Sequence, residues 1–264
     1  MGKIIVVAAG LLTFISILSK AQAHSFEVLY AFGDSYTDSG AGYIDGNGPT
    51  AVVYLANSLS IPFTYAGDSN ASGKGLNFAV SGAQTGEGGM KNQVLEFVRR
   101  AQSDNIKFKK ERTLFFLAGG LNDGELPTAT TITNLEGEIQ DLYKAGGRYF
   151  LVALLPTKIP AFSAVGARLN PAIAKIPKDL HASLPGAHIK VSHWGEYFDR
   201  VLENPATYGI VNTSDRCAGR AIFGEDSTPC SAPDTYFYYH DGHPSTAVQR
   251  IVATDLTREL ERFP

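Results

Sequence analysis

The sequence is poor in cysteine and lacks the local motifs of most metal- and cofactor-dependent enzymes. It has only two cysteines among 264 residues, and it contains no CxxC pair, no HExxH and no other close grouping of metal ligands. The GxGxxG and P-loop patterns are also missing, so the sequence predicts no metal and no cofactor. The Gly-x-Ser-x-Gly turn is absent as well, which argues against the common α/β-hydrolase arrangement.

The sequence also lacks charge clusters and repeats. The chain has no run of like charges, no low-complexity tract and no internal repeat, and its 23 basic and 26 acidic residues give a net charge of −3. Such a mildly acidic protein has no electrostatic footprint for nucleic acid or for an anionic membrane. With 44% hydrophobic residues, the length fits one compact domain. We predict a single domain over residues 24–264, and a monomer.

The N-terminal segment has the layout of a secretory signal. Lys3 precedes the apolar stretch Ile4–Leu18, and Ala21-Gln22-Ala23 follows it. This is the charged, apolar and small-residue order of a cleavable signal peptide, and the apolar stretch is short for a bilayer span. We therefore predict that residues 1–23 are removed and that the mature protein is secreted, without stable insertion into a membrane.

Export bears on the cysteines and on two glycosylation sequons. In an oxidising compartment an isolated pair of cysteines is typically bridged, so Cys217 and Cys230 are predicted to form a disulfide. Asn70 and Asn212 each begin an Asn-x-Ser/Thr triplet. These triplets would be glycosylation acceptors only if the source is eukaryotic.

Nearly continuous apolar runs alternate with helical patterns along the mature chain. Such runs are typical of strands buried on both faces. The alternation predicts an α/β fold with a mostly parallel sheet, helices on both faces and a ligand crevice at the carboxyl ends of the strands. The predicted strands are Glu27–Phe32, Arg112–Leu117, Arg148–Leu155 and His188–His193, with a weaker one near Phe63–Ala66; the predicted helices are Thr50–Leu59, Lys91–Ala101, Ile132–Ala145, a stretch within Ala164–Leu184, and Thr246–Leu260. The segment Asn204–Tyr236 has no clear periodicity.

A serine and a histidine stand where such a crevice would form. Ser35 follows the first predicted strand, and His243 lies in Asp241-Gly242-His243-Pro244 near the other end of the chain. A hydroxyl is a weak nucleophile until a nearby imidazole can take its proton, so the pair predicts serine ester hydrolysis. Taken alone, Ser35 has an alternative interpretation as a turn or capping serine, and Asn122 as a turn residue in Asn-Asp-Gly.

Four short motifs resemble a known family. Gly33-Asp34-Ser35, Gly82 in Asn77–Ala83, Gly120-Leu121-Asn122-Asp123 and His243-Pro244 occur in the order of the four sequence blocks of the GDSL esterase/lipase family, also called SGNH hydrolases. The resemblance implies a flavodoxin-like three-layer α/β/α sandwich and the hydrolysis of carboxylic esters. It also implies that Ser35 is the nucleophile and His243 the base, and that the N–H groups of Ser35 and Gly82 form an oxyanion hole with the Asn122 amide.

The fourth block departs from the family pattern. The family places an acid three residues before the histidine, and this chain has His240 there. Asp241 is the nearest acid and the favoured catalytic partner of His243, because a base needs a group on its other ring nitrogen. The alternative is a backbone carbonyl around Tyr239–His240, which would give a Ser-His dyad.

Composition also bears on the substrate. Secretion and a compact mature domain suit an esterase for short-chain acyl (acetyl) esters of carbohydrates, either small molecules or polysaccharides. A lipase or lysophospholipase is the first alternative, but the polar segment Asn204–Tyr236 does not look like a large apolar lid. The second alternative is a non-catalytic carbohydrate-binding protein that keeps the fold.

Overall fold

The computed structural model describes residues 25–41, 45–68, 73–103 and 105–263. The predicted signal peptide and the sequon at Asn70 lie outside the described residues. Short 3₁₀ turns apart, nine strands and seven helices are described in these ranges. The strands are β1 Val28–Gly33, β2 Thr64–Tyr65, β3 Gly75–Asn77, β4 Thr113–Ala118, β5 Tyr149–Ala153, β6 His188–Ser192, β7 Asn212–Arg216, β8 Tyr236–His240 and β9 His243–Pro244. The helices are α1 Ala51–Ser58, α2 Met90–Gln102, α3 Thr128–Lys144, α4 Ser163–Ile173, α5 Ile176–Leu180, α6 Trp194–Glu203 and α7 Thr246–Leu260.

Six strands form the central sheet in the order β2-β3-β1-β4-β5-β6. All of its pairings are parallel, which confirms the predicted α/β fold. Every residue of β4 is buried, and in β1 only Val28 is partly exposed. Strands covered on both faces have no reason to alternate polar and apolar residues, which is why these runs could be recognised in the sequence.

The chain direction explains the two helical layers. After β1, the chain forms β2 and β3 on one side of that strand. It then forms β4, β5 and β6 in turn on the other side. Because such crossovers are right-handed, α1 lies on the opposite face from α2, α3 and α4. Helix α7 packs against α1, and α6 packs against α7, which completes a three-layer sandwich. The strand order reverses beside β1, and a ligand crevice forms at such a point.

A second, small sheet carries the C-terminal motif. β7 pairs with β8 in parallel, and β8 pairs with β9 as an antiparallel hairpin. The segment Asn204–Tyr236 contains β7. This strand leaves no periodic pattern in the sequence because its residues are polar and partly or fully exposed. The predicted disulfide is present between Cys217 and Cys230.

Aromatic rings fill the core beneath the site. The ring centroids of Tyr30 and Phe97 are 4.8 Å apart, those of Phe97 and Phe115 are 5.3 Å apart, and those of Phe115 and Phe150 are 5.5 Å apart. Large rings of this kind dominate the burial of apolar surface, and here they fix β1 against α2. Across the described ranges, no helix is both long and apolar enough to cross a bilayer.

Candidate active site

The turn after β1 is shaped to present a serine. A Cβ atom on Gly33 would lie 2.5 Å from the carbonyl oxygen of Ala118, so only glycine allows β1 and β4 to approach this closely. The side-chain amide of Gln93 accepts the N–H of Gly33 at 2.9 Å and donates to its carbonyl at 2.8 Å. These contacts hold the end of the strand, and Ser35 follows on the turn with 8% of its surface exposed.

Ser35 and His243 meet at this turn. The Oγ atom of Ser35 lies 2.8 Å from Nε2 of His243. The next residue, Tyr36, donates its hydroxyl to the carbonyl of Gly242 at 2.5 Å, and burial raises the pKa of this phenol well above its ordinary value, so it remains a donor. The turn that carries Ser35 is therefore bonded directly to the turn that carries the His243 imidazole.

The other ring nitrogen faces a main-chain carbonyl. Nδ1 of His243 donates to the carbonyl oxygen of Asp241 at 2.9 Å, whereas the Asp241 carboxylate accepts from Nη1 of Arg216 at 2.6 Å and is 73% exposed. The side-chain contact predicted for Asp241 is thus replaced by a contact of its backbone. The reason is the tight turn between His240 and His243, whose strand pairing points the Asp241 side chain outward. Gly242 supplies the positive φ of 68° that this turn needs.

Two loops bring the remaining donors to the same edge of the sheet. Gly82 has φ of 80° and open space at the position of a Cβ atom, so its backbone can approach a ligand. The side-chain amide of Asn122 donates to the carbonyl of Ala83 at 3.0 Å and is half-buried. This bond uses one of the two amide hydrogens, so the side chain can donate a second hydrogen bond.

A buried carboxylate ties these two loops together. Asp123 accepts the N–H of Thr85 at 3.0 Å and its hydroxyl at 2.5 Å, and it accepts the hydroxyl of Thr131 at 2.8 Å. Hydrogen bonds to a carboxylate are stronger than those between neutral groups. Asp123 therefore fixes the distance between the Gly82 loop and Asn122. In the described part of the chain, no group of three or more His, Cys, Asp or Glu residues could hold a metal ion.

Comparisons with known proteins identify the family of the chain. The family model for GDSL-like lipase/acylhydrolase matches residues 29–256. The chain belongs to this family. GDSL esterase/lipase EXL6 of Arabidopsis thaliana is 23% identical in an alignment that covers 99% of this chain and 98% of that protein. GDSL esterase/lipase 7 of the same plant is 21% identical over 46% of this chain, and the chain spans only 40% of its length.

Solved structures show the same fold. A member of the lipolytic G-D-S-L family from Veillonella parvula superposes with a TM-score of 0.54 at 15% identity, over 89% of this chain and 98% of that chain. A mutant of Axe2, an acetyl-xylooligosaccharide esterase from Geobacillus stearothermophilus, superposes with a TM-score of 0.51 at 14% identity, over 90% of this chain and 96% of that chain. Both likenesses span about nine tenths of this chain.

One charged pair at the site was not predicted from the sequence. Asp45 lies between the Ser81 hydroxyl, which donates to its Oδ2, and Arg220, whose Nη1 is 3.1 Å from its Oδ1. Its Oδ2 is also 3.9 Å from Nε2 of His243. Neither residue falls in a family motif, and each is a single charge in an irregular segment, so no local signal could have found them.

The surroundings pull the pKa of His243 in both directions. Burial has the largest effect and lowers the pKa of the imidazole, and the nearby guanidinium of Arg220 lowers it further. The carboxylate of Asp45 and the carbonyl of Asp241 raise it. The net shift is downward, which keeps the imidazole neutral and able to accept a proton at neutral pH.

Proposed function

We propose that the protein is a secreted serine esterase that hydrolyses short-chain acyl esters, above all acetyl esters of carbohydrates. The observation that carries the proposal is the 2.8 Å contact between Ser35 Oγ and His243 Nε2. A nucleophile within hydrogen-bond reach of a base is the arrangement that acyl transfer needs. The membership of the chain in the GDSL-like lipase/acylhydrolase family supports the same chemistry.

Each proposed step uses an atom of the site. Ser35 Oγ attacks the ester carbonyl carbon as its proton passes to Nε2 of His243, while Nδ1–H stays on the carbonyl of Asp241 and fixes the tautomer. The oxyanion is held by the N–H groups of Ser35 and Gly82 and by the Asn122 amide. Nε2–H then protonates the leaving alcohol. Water, deprotonated by His243, attacks acyl-Ser35. The bond between the acyl carbon and Ser35 Oγ then breaks, His243 returns the proton to Oγ, and the carboxylic acid is released.

The shape of the site favours a small acyl group and a polar alcohol. Ser35 is 8% exposed and the His243 side chain 12%, so little room lies directly over the pair. A cavity of about 470 Å³ adjoins Gly82 and is lined by the polar side chains of Tyr65, Asn92 and Glu96 as well as by apolar ones. Mixed linings of this kind suit a sugar ring, which has both hydroxyl groups and apolar C–H faces. The Axe2 neighbour also acts on acetyl-xylooligosaccharides.

One observation favours the lipid-ester alternative. Ile222 and Phe223 are 59% and 66% exposed on the disulfide-closed loop that carries Arg220. Exposed apolar side chains next to an active site can touch a lipid surface. Two residues form a small patch, so we rank hydrolysis of lipid esters second.

A chain-length series tests the proposal. Initial rates are measured with p-nitrophenyl acetate, butyrate, octanoate and palmitate, and by acetate release from acetylated xylo-oligosaccharides. We expect the rate to fall beyond butyrate, and Ser35→Ala and His243→Gln to abolish turnover while Ser103→Ala, on the surface at the end of α2, leaves it unchanged. A preference for palmitate would favour the lipase alternative. A wild-type protein that binds the sugars without turnover would indicate the non-catalytic one.

Secretion and oligomeric state have separate tests. We expect N-terminal sequencing of exported protein to begin at residue 24, in agreement with the signal layout before it. Light scattering is expected to give the mass of a monomer.

A further inference from the structure

The imidazole of His243 has a carboxylate on its serine-facing edge. The Asp45 side chain is 2% exposed, and its Oδ2 lies 3.9 Å from Nε2. The Ser81 hydroxyl donates to the same oxygen, so the carboxylate is oriented by a second bond. Nε2 is the atom that receives the serine proton. In a serine-hydrolase triad the acid is hydrogen-bonded to Nδ1 of the histidine. Asp45 lies near Nε2 instead, so it does not occupy the position of the triad acid.

Arg220 contacts both Asp45 and the His243 ring. Its Nη1 is 3.1 Å from Oδ1 of Asp45, and its Nη2 contacts Nδ1 of His243 and lies 3.1 Å from the carbonyl oxygen of Asp241. A planar guanidinium can hold two acceptors in fixed directions. The carboxylate is therefore held in place beside the imidazole by a residue that also touches the ring.

The loop that carries Arg220 is fixed at several points. The Cys217–Cys230 disulfide closes it, and Glu225 accepts the backbone N–H of Arg220 at 2.7 Å. His240, at the position of the family acid, donates from Nδ1 to the carbonyl of Ala218 at 3.1 Å. The residue that replaces the acid thus anchors the loop that brings a different charged pair to the site.

We propose that Asp45, held by Arg220, is a positioning residue that stabilises the imidazolium of His243 in the role that other family members give to the acid three residues before the histidine. The inference rests on the proposed function. When the serine proton moves to Nε2, the ring gains one positive charge about 4 Å from the ionised carboxylate, which favours the charged ring electrostatically. Asp45 takes up no proton, and the proton leaves later with the alcohol.

Among the residues that the structure describes, few other groups face this ring. The Tyr36 ring is 5.6 Å away between centroids and the Phe162 ring 6.3 Å, the Tyr36 hydroxyl is bonded to Gly242, and the Asp241 carboxylate is bonded to Arg216. His240 adds a small effect that lowers the pKa of His243. Asp45 and Arg220 are therefore the side-chain charges whose removal should move this pKa, and they should move it in opposite directions.

The pH profile of kcat/KM tests this sign difference. We expect Asp45→Asn to lower the pKa of the basic group by about 1 unit or more, and to lower kcat roughly 10- to 100-fold with little change in KM. Arg220→Gln should raise the same pKa. Asp255→Asn removes a carboxylate that pairs with Arg200 at 3.2 Å between α6 and α7 and should change neither quantity. A merely structural role for Asp45 would lower activity without moving the pKa.

An NMR titration of the His243 imidazole separates this inference from the proposed function, since it needs no turnover. The signal is assigned by its loss in His243→Gln. Where a single variant does not fold, Asp45→Asn combined with Arg220→Gln removes both charges and should give a pKa between those of the single variants. An unmoved pKa in Asp45→Asn, or a downward shift in both single variants, would overturn the inference. A wild type with the expected titration but no ester turnover would overturn the proposed function alone.

Discussion

The carboxyl group of Asp34 is expected to make stability depend on pH. Asp34 directly precedes Ser35 and is completely buried. Its Oδ1 accepts the N–H of Tyr36 at 3.1 Å, whereas Oδ2 has no hydrogen-bond partner among the described residues. Burial raises the pKa of this carboxyl from 3.8 to about 7, because the charged form loses its hydration.

The sign and size of the effect follow from this shift. Between pH 3.8 and about pH 7 the folded state holds a proton on Asp34 that the unfolded state has released. Stability therefore falls as the pH rises through that window. A shift of about three units, at about 1.4 kcal/mol each, gives an upper bound of about 4 kcal/mol. Of this, about 3 kcal/mol falls between pH 5 and pH 8.

Asp34→Asn removes the titrating group and keeps its shape. We expect the free energy of unfolding of this variant, relative to the wild type, to rise by about 3 kcal/mol from pH 5 to pH 8. The measurement is urea unfolding at several pH values, with the slopes compared to ensure that both proteins unfold alike.

A neighbouring carboxylate provides the control. Asp38 is also buried, but it accepts the N–H groups of Gly40 and Ala41 at 2.8 Å and of Ser81 at 2.7 Å. In Asp38→Asn an N–H₂ group replaces one carboxylate oxygen, so at least one of these N–H groups loses its acceptor. This variant should therefore be less stable than the wild type at pH 5 and at pH 8 alike. A difference between Asp34→Asn and wild type that stays constant with pH, or that grows in favour of the wild type, would refute the reasoning.

Three further predictions concern the site and its supports. Asn122→Ala should lower kcat by about 10²–10³ with little change in KM, because the amide acts mainly in the transition state; a change confined to KM would make Asn122 a ground-state binding residue. Tyr36→Phe leaves the carbonyl of Gly242 without its donor and should cost about 1–3 kcal/mol of unfolding free energy and reduce kcat, and wild-type values for both would contradict this. Replacing Cys217 and Cys230 by Ala should lower the unfolding free energy, measured by urea titration, by about 2–4 kcal/mol. It should also slow turnover, because the loop would no longer hold Arg220 in place. An undiminished kcat in the folded variant would show that the loop holds Arg220 without the disulfide.

Three of the predicted strands are buried on both faces. β1, β4 and β5 are apolar and almost fully buried, so their sequence pattern is independent of what covers them. The predicted strands at the two edges of the sheet, β2 and β6, are mostly only partly buried. β3 and β7 were missed for opposite reasons. Gly75–Asn77 is only three residues long, although it is fully buried, and Asn212–Arg216 is polar because much of it faces solvent. The helix Trp194–Glu203 was also missed, because it follows β6 so closely that its start merges with the strand pattern.

Some residues of the site could be predicted from short sequence motifs, whereas others come together only through the fold. Ser35, Gly82, Asn122 and His243 each stand in a short motif, and the structure brings them to one edge of the sheet. The partner of Nδ1 depended on the direction in which a two-residue turn points the Asp241 side chain, which sequence spacing alone does not determine. Asp45 and Arg220 meet only because a disulfide-closed loop folds over the site, and neither residue has a neighbour in sequence that indicates this.

The two residues of the proposed catalytic pair are far apart in the sequence. Ser35 and His243 are 208 residues apart in sequence, and the Tyr36–Gly242 bond beside them spans 206. Contacts of such long range form late, after the intervening loops have been ordered. A chain emerging from the ribosome would have all six strands of its parallel sheet before His243 is synthesised, and it would remain inert until the turn that carries His243 reaches Ser35. Enzymatic turnover would therefore report completed folding, and a fragment truncated before the last hairpin would have no hydrolytic centre to expose prematurely.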